Sequence, residues 1–160
     1  MDMETIKSLL NDFDPMAFIP ELDSLVGWLE LAVRVSVLAG PVILLFLGLW
    51  YLLLPPKEAN HSAGYRTYWG MGSVEAWRFC QKIAGIAWGA LGLVLTVVMV
   101  LITNGYRGMD AMDMVYSAVK CILWEIGLAV VSSLAINITM MVLFDRKGER
   151  RSKKQKKEEK

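Results

Sequence analysis

Three apolar runs constrain this chain more than anything else in it. They are residues 35–54 (VSVLAGPVILLFLGLWYLLL), 83–103 (IAGIAWGALGLVLTVVMVLIT) and 121–144 (CILWEIGLAVVSSLAINITMMVLF). The first two contain no charge, and the third is interrupted only by Glu125. Each is long enough to cross a hydrocarbon core, which takes about 20 helical residues at a rise of about 1.5 Å. A soluble domain of 160 residues cannot hide three such runs in its core. Charged residues make up 21 % of the chain, but they gather at its two ends and in one loop instead of spreading over a water-facing surface. The expected fold class is therefore all-α, a three-span transmembrane helix bundle.

The expected organisation is an amphipathic N-terminal segment at 1–24, spans at 25–54, 83–103 and 119–144, loops at 55–82 and 104–118, and a basic tail at 145–160. Orientation follows from lysine and arginine. The tail carries nine of them and the first loop four, namely Lys57, Arg66, Arg78 and Lys82. The stretch from Asn104 to Lys120 carries only Arg107 and Lys120. With three spans the tail and first loop share a side, so both are expected in the cytoplasm and the N-terminus outside. The first 30 residues lack a basic start, an apolar run and a small-residue cleavage site, so a cleaved signal peptide is not expected.

The N-terminal segment repeats Ile6, Leu9, Leu10 and Phe13 at helical spacing, which suits a short helix on the outer membrane surface or a lid that binds a partner. Asp23 or Ser24 can cap the first span. As one helix, residues 25–54 would run about 45 Å, so it projects, tilts or bends at Gly40-Pro41. Glu30 and Arg34 are spaced for an ion pair along the helix.

Glu125 is costly in lipid unless paired, protonated or facing water. An ion pair with Arg34 or Lys120, expected at similar depth, is one reading, and proton or ligand binding is the other. Ser132 and Thr139 follow Glu125 at intervals of seven, with Ser133 and Asn137 beside them, which makes one polar helix face. That face suits hydrogen bonding between helices, or a polar path for a small solute. Gly85 and Gly89 form a small-residue motif for close helix approach, within the bundle or in a homo-oligomer. Trp28, Trp50, Tyr51, Trp88 and Trp124 read as interface or packing anchors. Cys80 and Cys121 fall at opposite faces of the membrane and cannot pair. With one histidine, His61, and no nucleophile beside a base, the chain offers no catalytic set, metal set or cofactor box, and no enzyme activity is expected.

The most distinctive segment is the first loop, PPKEANHSAGYRTYWGMGSVEAWRFCQK. Pro55-Pro56 ends the first span, and Ser73 can cap the next helix with Glu75 in its first turn. Val74, Trp77 and Phe79 are placed at the membrane interface. Arg66 lies between Tyr65 and Tyr68 in a turn-rich setting at headgroup level, where it can hold a phosphate or tie to backbone carbonyls. The lysine-rich tail reads as an anchor on anionic lipid. Docking of a cytoplasmic protein or nucleic acid is the other reading of the tail, although nucleic acid is not the expected partner.

This loop resembles the SdpI family of bacterial membrane proteins. The likeness rests on Pro55, Pro56, Lys57 and Asn60, then Gly64, Tyr65, Arg66 and Thr67, then Ser73, Glu75, Ala76 and Trp77. Phe144, Asp145 and Gly148 match the pair and glycine that close the family's last span. Members often carry a Thr-Glu pair shortly before that point, whereas Thr139 here precedes Met140. The family's named protein is longer, with additional spans. It is an immunity protein against a secreted killing peptide and a sensor that captures a transcriptional repressor at the membrane. The resemblance implies a bundle of that type in a bacterial plasma membrane, with a peptide toxin and a cytoplasmic regulator as partners. Asn60, Gly64, Tyr65, Arg66, Thr67, Glu75 and Trp77 are then the candidate functional residues, with Arg66 at their centre. A transporter or channel subunit built on the Glu125–Thr139 face is a second reading. A lipid-headgroup binder using Arg66, His61 and Tyr65 is a third.

Overall fold

The computed structural model describes residues 19–59 and 63–151, the side chains of 19–23 excepted. Three long helices account for most of it: α1 (Ile19–Leu53), α2 (Val74–Asn104) and α3 (Ala111–Leu143). At about 1.5 Å per residue the helices are about 46–53 Å long, more than a hydrocarbon core. All three qualify as membrane spans by length and hydropathy, and only 17, 22 and 11 % of their most apolar windows are buried inside the protein. Residues such as Phe46, Val97, Leu101, Leu123 and Val131 instead point outward, as a lipid-facing surface requires. The chain is a multi-pass membrane protein of all-α class.

Local chemistry sets the helix limits more than hydropathy does. α1 stops ahead of Pro55-Pro56, because a proline restricts the residue before it and supplies no backbone donor. Ser73 caps α2 by accepting the Ala76 N–H, and Glu75 sits in the first turn. Asp110 caps α3 by accepting the Met112 N–H. Both helices therefore begin in polar sequence ahead of their apolar runs. α1 corrects the capping expectation at its start: it has already begun at Ile19, so Asp23 and Ser24 lie inside it. It also runs unbroken through Pro41, whose ring is fully buried. The N-terminal stripe of Ile6, Leu9, Leu10 and Phe13 lies outside the described residues.

Glycine decides how closely α1 and α2 approach. Gly48 rests directly on the backbone of Gly89, Gly92 rests on the backbone of Leu45, and Gly85 packs on Leu52 and the Gly48 carbonyl. The small-residue motif of α2 is thus used against α1 of the same chain. α3 closes the bundle over Val37, Leu95, Met99, Ala118 and Cys121. A second cluster of Ala76, Cys80, Met140 and Phe144 lies at the end that carries the 55–73 loop. Cys80 and Cys121 are buried and unpaired, one in each cluster.

A methyl group at Gly48 would enter the backbone of Gly89, whereas one at Gly27 would meet nothing within 4 Å. Gly48→Ala should therefore force α1 from α2 and cost about 1–3 kcal/mol. Gly27→Ala should be neutral or slightly stabilising. Thermal unfolding of both variants in detergent, followed by helical circular dichroism, checks the contrast. Equal behaviour would mean that the glycine contact does not hold the pair.

Candidate functional site

The loop between α1 and α2 is held as a fixed cap by one buried amide. Gln81, fully buried in α2, donates from Nε2 to the Tyr65 carbonyl at 2.8 Å and accepts the Tyr65 N–H on Oε1 at 2.9 Å. A side chain thus takes the part of a neighbouring strand. Leaving those two backbone groups unpaired would cost about 1–3 kcal/mol each. The Tyr65 side chain continues inward. Its ring meets Trp88 edge to face at 5.0 Å, its hydroxyl donates to the Ser133 carbonyl at 3.2 Å, and Asn137 Nδ2 donates to that hydroxyl at 3.2 Å. One residue of the loop therefore ties α2 to α3.

The neighbouring motif residues serve the same cap. Gly64 adopts φ +100°, and a Cβ there would lie 2.9 Å from the Trp77 ring and 3.0 Å from Gln81 Oε1. Only glycine meets both demands. Trp77 is fully buried, and its Nε1 donates to the Pro56 carbonyl at 2.9 Å. This corrects the expectation that Trp77 anchors at the membrane interface: its indole holds the chain leaving α1 against α2. Thr67 is buried too, and its hydroxyl accepts the Gly70 N–H at 2.9 Å and lies 3.6 Å from Cys80 Sγ.

The turn after α3 completes the cap. Ser73 Oγ, besides capping α2, donates to the Gly148 carbonyl at 2.6 Å. Gly148 has φ +74°, and a Cβ on it would fall 2.5 Å from the Ser73 nitrogen. Asp145 Oδ1 accepts the N–H groups of Lys147 and Glu149 at 2.9 and 2.8 Å, which shapes the turn. Phe144 is buried and meets Phe79 at 5.4 Å. Elements about 75 residues apart in sequence are thus brought together at Ser73 and Gly148.

Arg66 stands exposed on this platform, directly after the clamped Tyr65. Glu75 is exposed at the start of α2. Asn60 and His61 lie outside the described residues. Burial holds the Tyr65 phenol above its ordinary 10.0, so it remains a neutral donor at physiological pH.

The polar residues of α3 do not act as one face. Asn137 reaches Tyr65, but the Ser132 and Thr139 hydroxyls are taken by the Ala129 and Ala135 carbonyls of their own helix. Glu125 is buried among α1 and α3, where its Oε2 presses on Gly40 and its Oε1 has no hydrogen-bond partner. It does not pair with Arg34 or Lys120. Arg34 binds Glu30 at 2.6 Å, and Lys120 lies over the Tyr116 ring at 4.1 Å. The physical reason is depth. Glu125 is level with Gly40, six residues beyond Arg34, which is about 9 Å along α1. A groove of about 300 Å³ beside it is walled by Leu44, Ile122, Ile126 and Ala129.

Sequence reasoning missed Gln81, the residue that organises the cap. Its signal was a polar amide one turn after Trp77, just where the chain turns apolar. It also used Arg78 and Lys82 only for orientation, and Lys57 only for orientation and the family likeness, although the three line one cleft with Tyr51, Leu52, Pro55 and Pro56.

The model of the SdpI/YfhL protein family matches residues 57–144, just over half of the chain. Comparison with curated proteins and with solved structures gives no match. The matched span runs from the loop to Phe144 and so contains the clamp and most of the cap. The chain belongs to the SdpI/YfhL family.

Tyr65→Phe keeps the ring and removes only the hydroxyl, so it should lower stability by about 1 kcal/mol. The hydroxyl's contribution also has a pH window. The folded phenol titrates above 10.0, so its stabilisation is complete below pH 10 and is lost as pH rises through the raised value. Thermal midpoints of both proteins from pH 7 into the alkaline range should converge. No gap at neutral pH would mean that the hydroxyl carries none of the stability, and a gap that persists unchanged into the alkaline range would contradict the coupling to phenol ionisation.

Proposed function

We propose that this SdpI/YfhL-family member is an immunity and sensor protein of the bacterial plasma membrane, recognising a membrane-active peptide. The loop end of the bundle then faces the cytoplasm. Lys57, Arg66, Arg78 and Lys82 lie at that end with Arg146, Lys147, Arg150 and Arg151, while Arg107 and Lys120 belong to the opposite one.

The observation that carries this reading is the position of Tyr65. Its backbone is clamped to α2, its hydroxyl is held by α3, and the next residue is the exposed Arg66. A ligand that favours a different placement of α3 against α2 must move Tyr65, and Arg66 with it. Such differential binding is what signalling requires. A cytoplasmic regulator reading Arg66 would thereby sense events within the membrane. The flux reading is less well supported, because Ser132 and Thr139 spend their hydroxyls on their own helix instead of lining a path.

A survival assay tests this. Expressed in a sensitive bacterium challenged with the family's killing peptide, the wild-type chain should protect. Arg66→Ala at equal membrane abundance should not. Absence of protection by well-expressed wild type would overturn the reading. Loss of membrane abundance in the variant would make Arg66 a structural residue instead.

A further inference from the structure

A cleft of about 510 Å³ lies at the loop end beside the last turn of α1. Its walls divide by chemistry. Tyr51, Leu52 and Pro55 make an apolar side continuous with the membrane-spanning part of α1, and Lys57, Arg78 and Lys82 make a cationic side. Arg78 and Lys82 stand four apart on α2, so they share a helix face and repel each other. Lys57 joins them from the loop. None of the three makes an ion pair among the described residues. The wall is also fixed in place, because Trp77 holds Pro56 by its carbonyl.

We infer that this cleft binds the phosphate headgroup of an anionic phospholipid, with Arg78 as the two-pronged donor and Lys57 and Lys82 as flanking charges. Three cations brought to one concavity whose lining holds no acidic residue repel one another and are stabilised by an anion. The apolar side selects the source. A free phosphate needs no hydrocarbon wall, whereas a glycerophospholipid places its acyl chains along Leu52 where the span ends. The surrounding surface is the bilayer, which presents this ligand already oriented. The assignment is independent of the immunity reading and does not use Arg66.

The test is native mass spectrometry of the full chain, released from mixed micelles of detergent with phosphatidylglycerol or with phosphatidylcholine. Wild type should retain phosphatidylglycerol in preference to phosphatidylcholine, and excess inorganic phosphate should not displace it. Arg78→Gln should weaken retention about tenfold, as loss of a charge-assisted contact implies. Lys57→Gln combined with Arg78→Gln and Lys82→Gln should abolish the preference. Arg107→Gln with Lys120→Gln, at the other end, should leave it unchanged. Helical circular dichroism in phosphatidylcholine should be the same for all, since the three cleft cations are exposed. Equal retention of the two lipids, unchanged preference in the triple variant, or equal loss at the other end would overturn the assignment. Displacement by inorganic phosphate would make the ligand a soluble anion instead.

Discussion

A single buried amide organises the loop end of this protein. Gln81 lies where α2 passes from polar to apolar surroundings, and a primary amide there must be paired or it destabilises the fold. It is paired with both backbone groups of one loop residue, Tyr65. That choice makes the loop a structural layer with a defined face. Gly64 is required beside it for space and for its positive φ, and Trp77 is required beneath it to hold Pro56. Arg66 follows the clamped residue directly and is exposed.

The membrane-embedded part follows simpler rules. Between helices in lipid there is little hydrophobic gain, so close van der Waals contact and a few hydrogen bonds must hold the bundle. α1 and α2 obtain the contact through Gly48, Gly85, Gly89 and Gly92. α3 is joined to them by the apolar cluster around Val37 and Cys121, and by Tyr65 with Asn137 at the cap. The buried Glu125 is accommodated only because Gly40 leaves room for its carboxylate. The bundle and the cap are therefore coupled at Tyr65, and this coupling is what makes a signalling role physically reasonable.

Much of this was legible in the sequence, for identifiable reasons. The three spans follow from uninterrupted hydropathy, which in a chain of this size has few alternative solutions. The Ser73 cap, the Glu30–Arg34 pair and the small-residue contact of α2 are local patterns of fixed spacing, and the structure contains all three. The motif residues from Gly64 to Trp77 were also identified as a group. Their roles were not legible, because these depend on partners distant in sequence. Trp77 looks like an interfacial aromatic until Pro56 is placed against it. Gln81 looks like a boundary residue until Tyr65 is. Glu125 looks level with Arg34 until the packing of α3 on Gly40 sets its depth. Register between helices is not a property of any one helix.

The central claim is that the loop is a clamped layer and not a tether. Amide hydrogen exchange of the full chain in lipid nanodiscs tests it most directly, read at the Tyr65 and Gly70 amides. Both should be protected to a degree comparable with the first turns of α2, since Gln81 Oε1 and Thr67 Oγ1 accept them. Gln81→Leu should remove the protection at Tyr65 while the interior of α2 stays protected. Exchange of the Tyr65 amide at the rate of an unstructured loop in the wild-type chain would contradict the account.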